Sequence, residues 1–160
     1  MNIFHIDEDP VQSARWLVDK HLKMLLESCQ MLCTNYHLQD IDAPYRKTHE
    51  NHPSTKWARA SYDNCLWLIE HAFTIADEYT VRYGKVHKSQ QVLEWCEDNL
   101  WRLSFDSKDL QKFAIAIKDD SICRTMPEFN EDDPVAAYRL FYKYDKAHLH
   151  QWKRNKPEWI

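Results

Sequence analysis

Residues 9–36 read DPVQSARWLVDKHLKMLLESCQMLCTNY. The opening Asp9-Pro10-Val11 places an acidic N-cap before a proline at the first helical position, where the missing N–H costs nothing. Apolar residues then recur at Ala14, Val18, Leu22, Leu25, Cys29, Leu32 and Tyr36. Steps of three and four are the mark of an amphipathic helix, and they predict one helix over about residues 10–36. The same start signal returns at Asp133-Pro134-Val135 and predicts a last helix over about 134–153. Between them, Ser54 is a candidate N-cap for a helix to about Tyr83, with Tyr62, Leu66, Ile69, Phe73 and Ala76 in register and Gly84 as its C′ residue. Ser89 caps a further helix through Val92, Trp95, Cys96 and Leu103. Residues 39–53 carry two prolines and no periodicity, so they read as a loop. Residues 106–133 hold a possible short strand at 113–117 and an acidic loop. The expectation is an all-α, compact single-domain helical bundle over 1–160, with at most a minor β element.

Composition narrows the function classes. The chain has 160 residues, 44% hydrophobic and 13% aromatic, enough for one sizeable core. Its one glycine, Gly84, excludes a Gly-rich phosphate loop of the Rossmann or Walker type. Five cysteines, Cys29, Cys33, Cys65, Cys96 and Cys123, form an odd set with no C-x-x-C pair and favour free thiols in a reducing compartment. The apolar runs are too short for a membrane span, and the N-terminus lacks the basic flank and apolar run of a secretory signal. A cytoplasmic protein is expected.

Formal net charge is −4, so any polyanion partner must be met by local patches. On the predicted last helix, Arg139, Lys143, Lys146, His150 and Lys153 share one face, with Trp152 and Trp159 beside them. Such a stripe suits phosphate neutralisation and base stacking, and equally suits a solvated helix face. The segment from Tyr45 to Arg59 adds Arg46, Lys47, His49, His52, Lys56 and Arg59 against one acid, Glu50. A third group, Arg82, Lys85, His87 and Lys88, lies where the second helix ends, where cations also complement the helix dipole. Three basic groups in a net-acidic chain point to a nucleic acid or a nucleotide as partner. Nine histidines form no metal-binding spacing, so neither a metal nor another cofactor is expected. Glu27 falls opposite the apolar stripe of a regular helix, on the side of Lys20 and Lys23. His21 lies at the stripe's edge, and Asn51-His52-Pro53 holds polar groups before a proline.

A pattern accumulates from these pieces. It runs from Met1-Asn2-x-Phe4 through Ser13-Ala14-Arg15 and Asp19-Lys20-His21-Leu22 to Glu27-x-x-Gln30-x-Leu32. Asn51-His52-Pro53 with Trp57 comes next, then Asp77-Glu78-Tyr79 and Arg82-Tyr83-Gly84-Lys85. In order and spacing the first 90 or so residues resemble small phage and bacterial proteins of the pyrimidine-dimer DNA glycosylase (endonuclease V type) family. The resemblance implies a helical protein that grips DNA and cleaves at C1′ of a damaged or modified pyrimidine, with or without a lyase step. It implies an N-terminal α-amine as nucleophile and Glu27 as the assisting carboxylate. Met1, Asn2, His21 and Glu27 then form the catalytic set, and Arg15, Arg46, His49, Asn51, His52 and Arg59 the substrate set. Arg139, Lys143, Lys146 and Lys153 would hold phosphates. Asn2 is larger than the residues that favour loss of an initiator methionine, which leaves open whose amine is free. Glu27 meets that amine only if the first helix is irregular. Two other readings stay open: an enzyme of free or hypermodified pyrimidine nucleotides, and a non-catalytic phage factor that binds nucleic acid or protein.

Overall fold

The computed structural model describes residues 1–160 and contains helices and no strand. Six α-helices are formed: α1 (Pro10–Arg15), α2 (Leu25–Leu38), α3 (Pro53–Ala60), α4 (Tyr62–Tyr83), α5 (Gln90–Asp98) and α6 (Pro134–Tyr144). The longest, α4, is the axis of the bundle, and α1, α2, α3 and α5 all pack on it. No helix is long and apolar enough to cross a membrane.

Local start and stop signals act as expected. The Asp9 carboxylate accepts from Val11 N, and that of Asp133 from Ala136 N. Gly84 ends α4 at φ 70°, a left-handed conformation that costs a Cβ-free residue nothing. Elsewhere the elements are shorter than their periodicity predicts. The predicted helix over 10–36 is broken after Arg15, and Asp19–Met24 form a 3₁₀ helix before α2 begins. The helix predicted with Ser54 as its cap starts two residues earlier with His52 as its cap, and it breaks at Ser61, whose hydroxyl caps α4. The fifth helix stops at Asp98, and the last stops at Tyr144 with only a 3₁₀ turn, Ala147–Leu149, beyond it. Residues 113–117 pair with no strand. Instead Phe113 and Ile117 are buried against the core.

The N-terminal segment is non-helical yet deeply buried from Ile3 to Ile6. Its backbone is satisfied by a side chain: Ser13 Oγ donates to Phe4 O at 2.7 Å and accepts from Ile6 N at 3.1 Å. The His5 ring stacks on Phe113 and meets Trp57 and Trp67 edge-on or tilted. All five cysteines are free and buried.

Burying imidazoles couples this fold to pH. Burial above all lowers His71 to about 4 and drives His5 well below the ordinary histidine range. The unfolded chain takes up these protons near pH 6.5, whereas the native protein refuses them until the lowered values are reached. Their contribution is therefore complete above about pH 6.5 and is lost as pH falls. Stability should drop by roughly 2 kcal/mol for each such histidine between pH 6.5 and 5. Urea denaturation at pH 7 and pH 5 measures it, and equal midpoints would show that these rings are accessible to protons.

Candidate active site

The break after α1 is the feature that builds the site. Arg82 of α4 reaches into it, donating from its two terminal nitrogens to Leu17 O and Arg15 O, each at 2.7 Å, and to Asp19 Oδ1 at 3.1 Å. Val18 N donates to Tyr142 Oη and Asp19 N to Gln151 O. Every one of these partners comes from far along the chain, and together they satisfy the groups a continuous helix would have paired internally.

A 3₁₀ helix turns about 120° per residue where an α-helix turns about 100°. Six residues so wound rotate α2 by about 120°, roughly one residue's worth beyond a regular helix. With the chain broken after α1 and wound this way, α2 presents Glu27 to the N-terminus. Its Oε1 lies 3.2 Å from the α-amine of Met1, the Met1 side chain being 4% and that of Glu27 28% exposed. Glu27 also sits in the first turn of α2, where the helix dipole favours a carboxylate.

Met1 and Asn2 are anchored. Thr55 Oγ1 approaches Met1 Sδ at 3.4 Å. Asn2 Nδ2 donates to Ala116 O and its Oδ1 accepts from Tyr138 Oη, which itself accepts from Ala116 N. The chain start is thereby fastened to α6 and to the extended segment 114–117.

These elements enclose a cavity of about 720 Å³. Met1, Asn2, Phe4, His21, Met24 and His52 form one side; Ile115–Lys118, Ser121, Phe141, Asp145 and Lys146 form the other. Asp145 accepts from Ile122 N and Cys123 N, so its carboxylate holds the 3₁₀ turn of that wall.

His21 is a neutral donor by hydrogen-bond accounting. Tyr142 Oη accepts from Val18 N, so its own proton goes to His21 Nδ1, 2.6 Å away. The imidazole proton therefore sits on Nε2. Burial first, then the charges of Lys146 and His148, lower His21 to about 3, and the ring stacks on Phe4 at 4.3 Å. His52 has the same tautomer, since Nδ1 accepts from Ser54 N. Burial, the Met1 amine and His49 depress its titration, with Glu27 opposing them. Tyr142→Phe should cost about 1–3 kcal/mol, because it strands a buried N–H and an imidazole nitrogen. A ¹⁵N-histidine spectrum would show the His21 tautomer directly: a protonated Nδ1 in the parent protein contradicts the assignment.

Of the residues singled out from sequence, Met1, Asn2, His21, His52 and Lys146 line this cavity, and Glu27 joins it through the amine. Arg15 lies on a separate cleft with Trp16 and Trp159, and Arg59 on another with Asn35 and Lys56. Arg46 and Asn51 are exposed, and His49 turns to Thr48 Oγ1 at φ 49°. The basic stripe is divided because α6 ends at Tyr144. Arg139 is bound to Ile6 O and Asp7 and lies against both the Trp16 and Trp159 rings. Lys153 donates to Arg82 O, and Lys143 is exposed. Phe4, Lys118, Ser121, Phe141 and Asp145 were missed. Only the apolar run at 113–117 and the apolar start of the chain hinted at their neighbourhood.

The helical bundle thus pairs a terminal amine with a carboxylate at the edge of a cavity of about 720 Å³. Residues 1–92, more than half of the chain, match the family described as pyrimidine dimer DNA glycosylase, and the chain belongs to that family. No curated protein and no solved structure matches it.

Proposed function

We propose that this protein is a DNA glycosylase that cleaves the bond between C1′ and the base of a damaged or modified pyrimidine flipped into the 720 Å³ cavity. The observation that carries the reading is the Met1 amine held 3.2 Å from Glu27 at the cavity's edge. The unprotonated amine gives its lone pair to C1′ as the glycosidic electron pair leaves with the base. Glu27 stabilises the cationic sugar in passing and accepts a proton from the new ammonium centre. The base leaves as an anion and takes a proton from solvent. Ring opening gives a Schiff base, which water hydrolyses, or which permits loss of the 3′ phosphate in a lyase step.

His21, neutral at working pH, donates from Nε2 to a carbonyl of the departing pyrimidine rather than acting as a general acid. Phe4 and Phe141 supply apolar area beside it, and Lys118 and Lys146 supply positive charge. In this reading the attacking amine is that of Met1, which lies at the carboxylate. The protein acts on phage or host DNA in the host cytoplasm. Borohydride trapping tests the proposal. A covalent adduct with dimer-containing or phage-modified DNA supports it, and base release from neither DNA defeats it.

One observation favours a second reading. Arg82, Arg139 and Lys153 are tied to the protein's own carbonyls and carboxylates, which reduces the charge left to grip a duplex. A free or hypermodified pyrimidine nucleotide would need only Lys118 and Lys146 for its phosphates. Mass spectrometry of nucleotide pools incubated with the protein separates the two.

A further inference from the structure

Outside the catalytic cavity, a second cleft of about 490 Å³ opens where α2 and α3 end. It is lined by Asn35, Gln39, Lys56, Arg59 and, from the 104–106 segment, Ser104 and Asp106. Two of these residues carry a buried donor without a partner: Asn35 Nδ2 and one terminal nitrogen of Arg59. The orientation of Asn35, which is 5% exposed, is fixed by its neighbours. Gln39 is locked by a reciprocal pair with the Ser104 backbone, its Oε1 accepting from Ser104 N and its Nε2 donating to Ser104 O. That same Nε2 donates to Asn35 Oδ1 at 3.0 Å, so the Asn35 amide nitrogen faces the other way. A guanidinium cannot shed its proton to escape the cost of an unmade bond. The cleft therefore combines two orphaned donors and a free lysine, with the Asp106 carboxylate as its one acidic lining residue.

His52, Lys56 and Arg59 are spaced by four and three residues and share one face of α3 and its cap. His52 lines the catalytic cavity and Arg59 the second cleft. Seven residues of helix separate them by about 10 Å, some three base rises of a strand at ~3.4 Å each.

We infer that the Asn35–Lys56–Arg59 cleft is a phosphate-binding subsite that holds a backbone phosphate of the strand whose nucleotide enters the catalytic cavity. The assignment to a strand rests on the glycosylase reading. The chemistry of the cleft, two donors left without partners, does not. The exposed Asp106 carboxylate on the rim and the carbonyl ends of α2 and α3 oppose an anion, so a lone phosphate binds weakly and a diester held by its neighbours binds well.

The test is DNA binding by the full chain, using an oligodeoxynucleotide with an uncleavable abasic analogue over a range of salt. Arg59→Gln should weaken binding roughly five- to tenfold at 50 mM salt and flatten the plot of log K against log salt by about 0.9 for duplex, or about 0.7 for a single strand. Asn35→Asp keeps the acceptor for Gln39 and supplies Arg59 and Lys56 with an internal carboxylate. It should hold or raise the melting temperature while weakening DNA binding, which separates lost binding from lost folding. Asp106→Asn should tighten binding. Parent-like DNA affinity and salt slope in both Arg59→Gln and Asn35→Asp would overturn the inference, as would an equal loss in the exposed control Lys20→Gln. Inorganic phosphate that shifts the Asn35 amide resonance while neither variant affects DNA binding would also overturn it, by placing free phosphate there instead. Base release is scored separately. A protein that binds DNA through this cleft but excises nothing ends the glycosylase reading and leaves the subsite. One that excises with an unchanged Arg59→Gln salt slope does the reverse.

Discussion

Glu27→Gln should lower the single-turnover rate of base release by about 10²- to 10⁴-fold. The substitution keeps the shape of the side chain and removes only the negative charge 3.2 Å from the Met1 amine. Two roles vanish with that charge: acceptance of a proton from the attacking nitrogen, and stabilisation of the sugar cation. The fold should tolerate the change. A partly exposed ion pair and a first-turn dipole contact are each worth about 1 kcal/mol or less. DNA affinity should stay close to that of the parent, since no phosphate contact is removed, so the loss appears in the chemical step. A rate within about threefold of the parent would remove Glu27 from the mechanism and favour a binding protein.

Placing one glycine ahead of Met1 should abolish the borohydride-trapped adduct. The extension turns the amine at Glu27 into an amide, whose nitrogen has no lone pair to offer, and it moves the new amine into the cavity or out to solvent. Because the Met1 side chain is packed beside Thr55, the original amine position cannot be recovered by a simple slide of the chain. Intact mass of the parent protein should include the methionine. An extended protein that still traps at the parent rate would show that a lysine, Lys118 or Lys146 being nearest to hand, performs the attack.

Two helix starts and one stop were legible because their causes are local. Asp9-Pro10, Asp133-Pro134 and Gly84 each act within one turn of their own position. The break between Arg15 and Asp19 was not legible, although the stripe of apolar residues across it is real. Val18, Leu22 and Leu25 are buried whether the chain runs on or breaks, so periodicity is silent on the difference. What decides it are Arg82, Tyr142 and Gln151, more than 60 residues away in sequence. The candidate site shared that fate. A regular helix turned Glu27 away, and only the resemblance to a family paired it with the chain start. The basic stripe of the last helix failed for a simpler reason: α6 stops at Tyr144, and beyond it the lysines and histidine no longer share a face.

The clasp around Arg82 also bears on how such proteins can be recombined. Glu78 and Asp19 receive not only Arg82 but Arg154, Asn155 and the backbone of Lys153, while Tyr142 props the imidazole of His21. The stretch that matches the family ends at residue 92, yet its reactive geometry is braced from outside that boundary. A fragment cut there would lose these braces, and a chimera grafting those 92 residues onto a relative's remainder would keep them only if the tyrosine and the C-terminal cations travelled with them. In such a lineage the two halves can diverge in appearance but not independently.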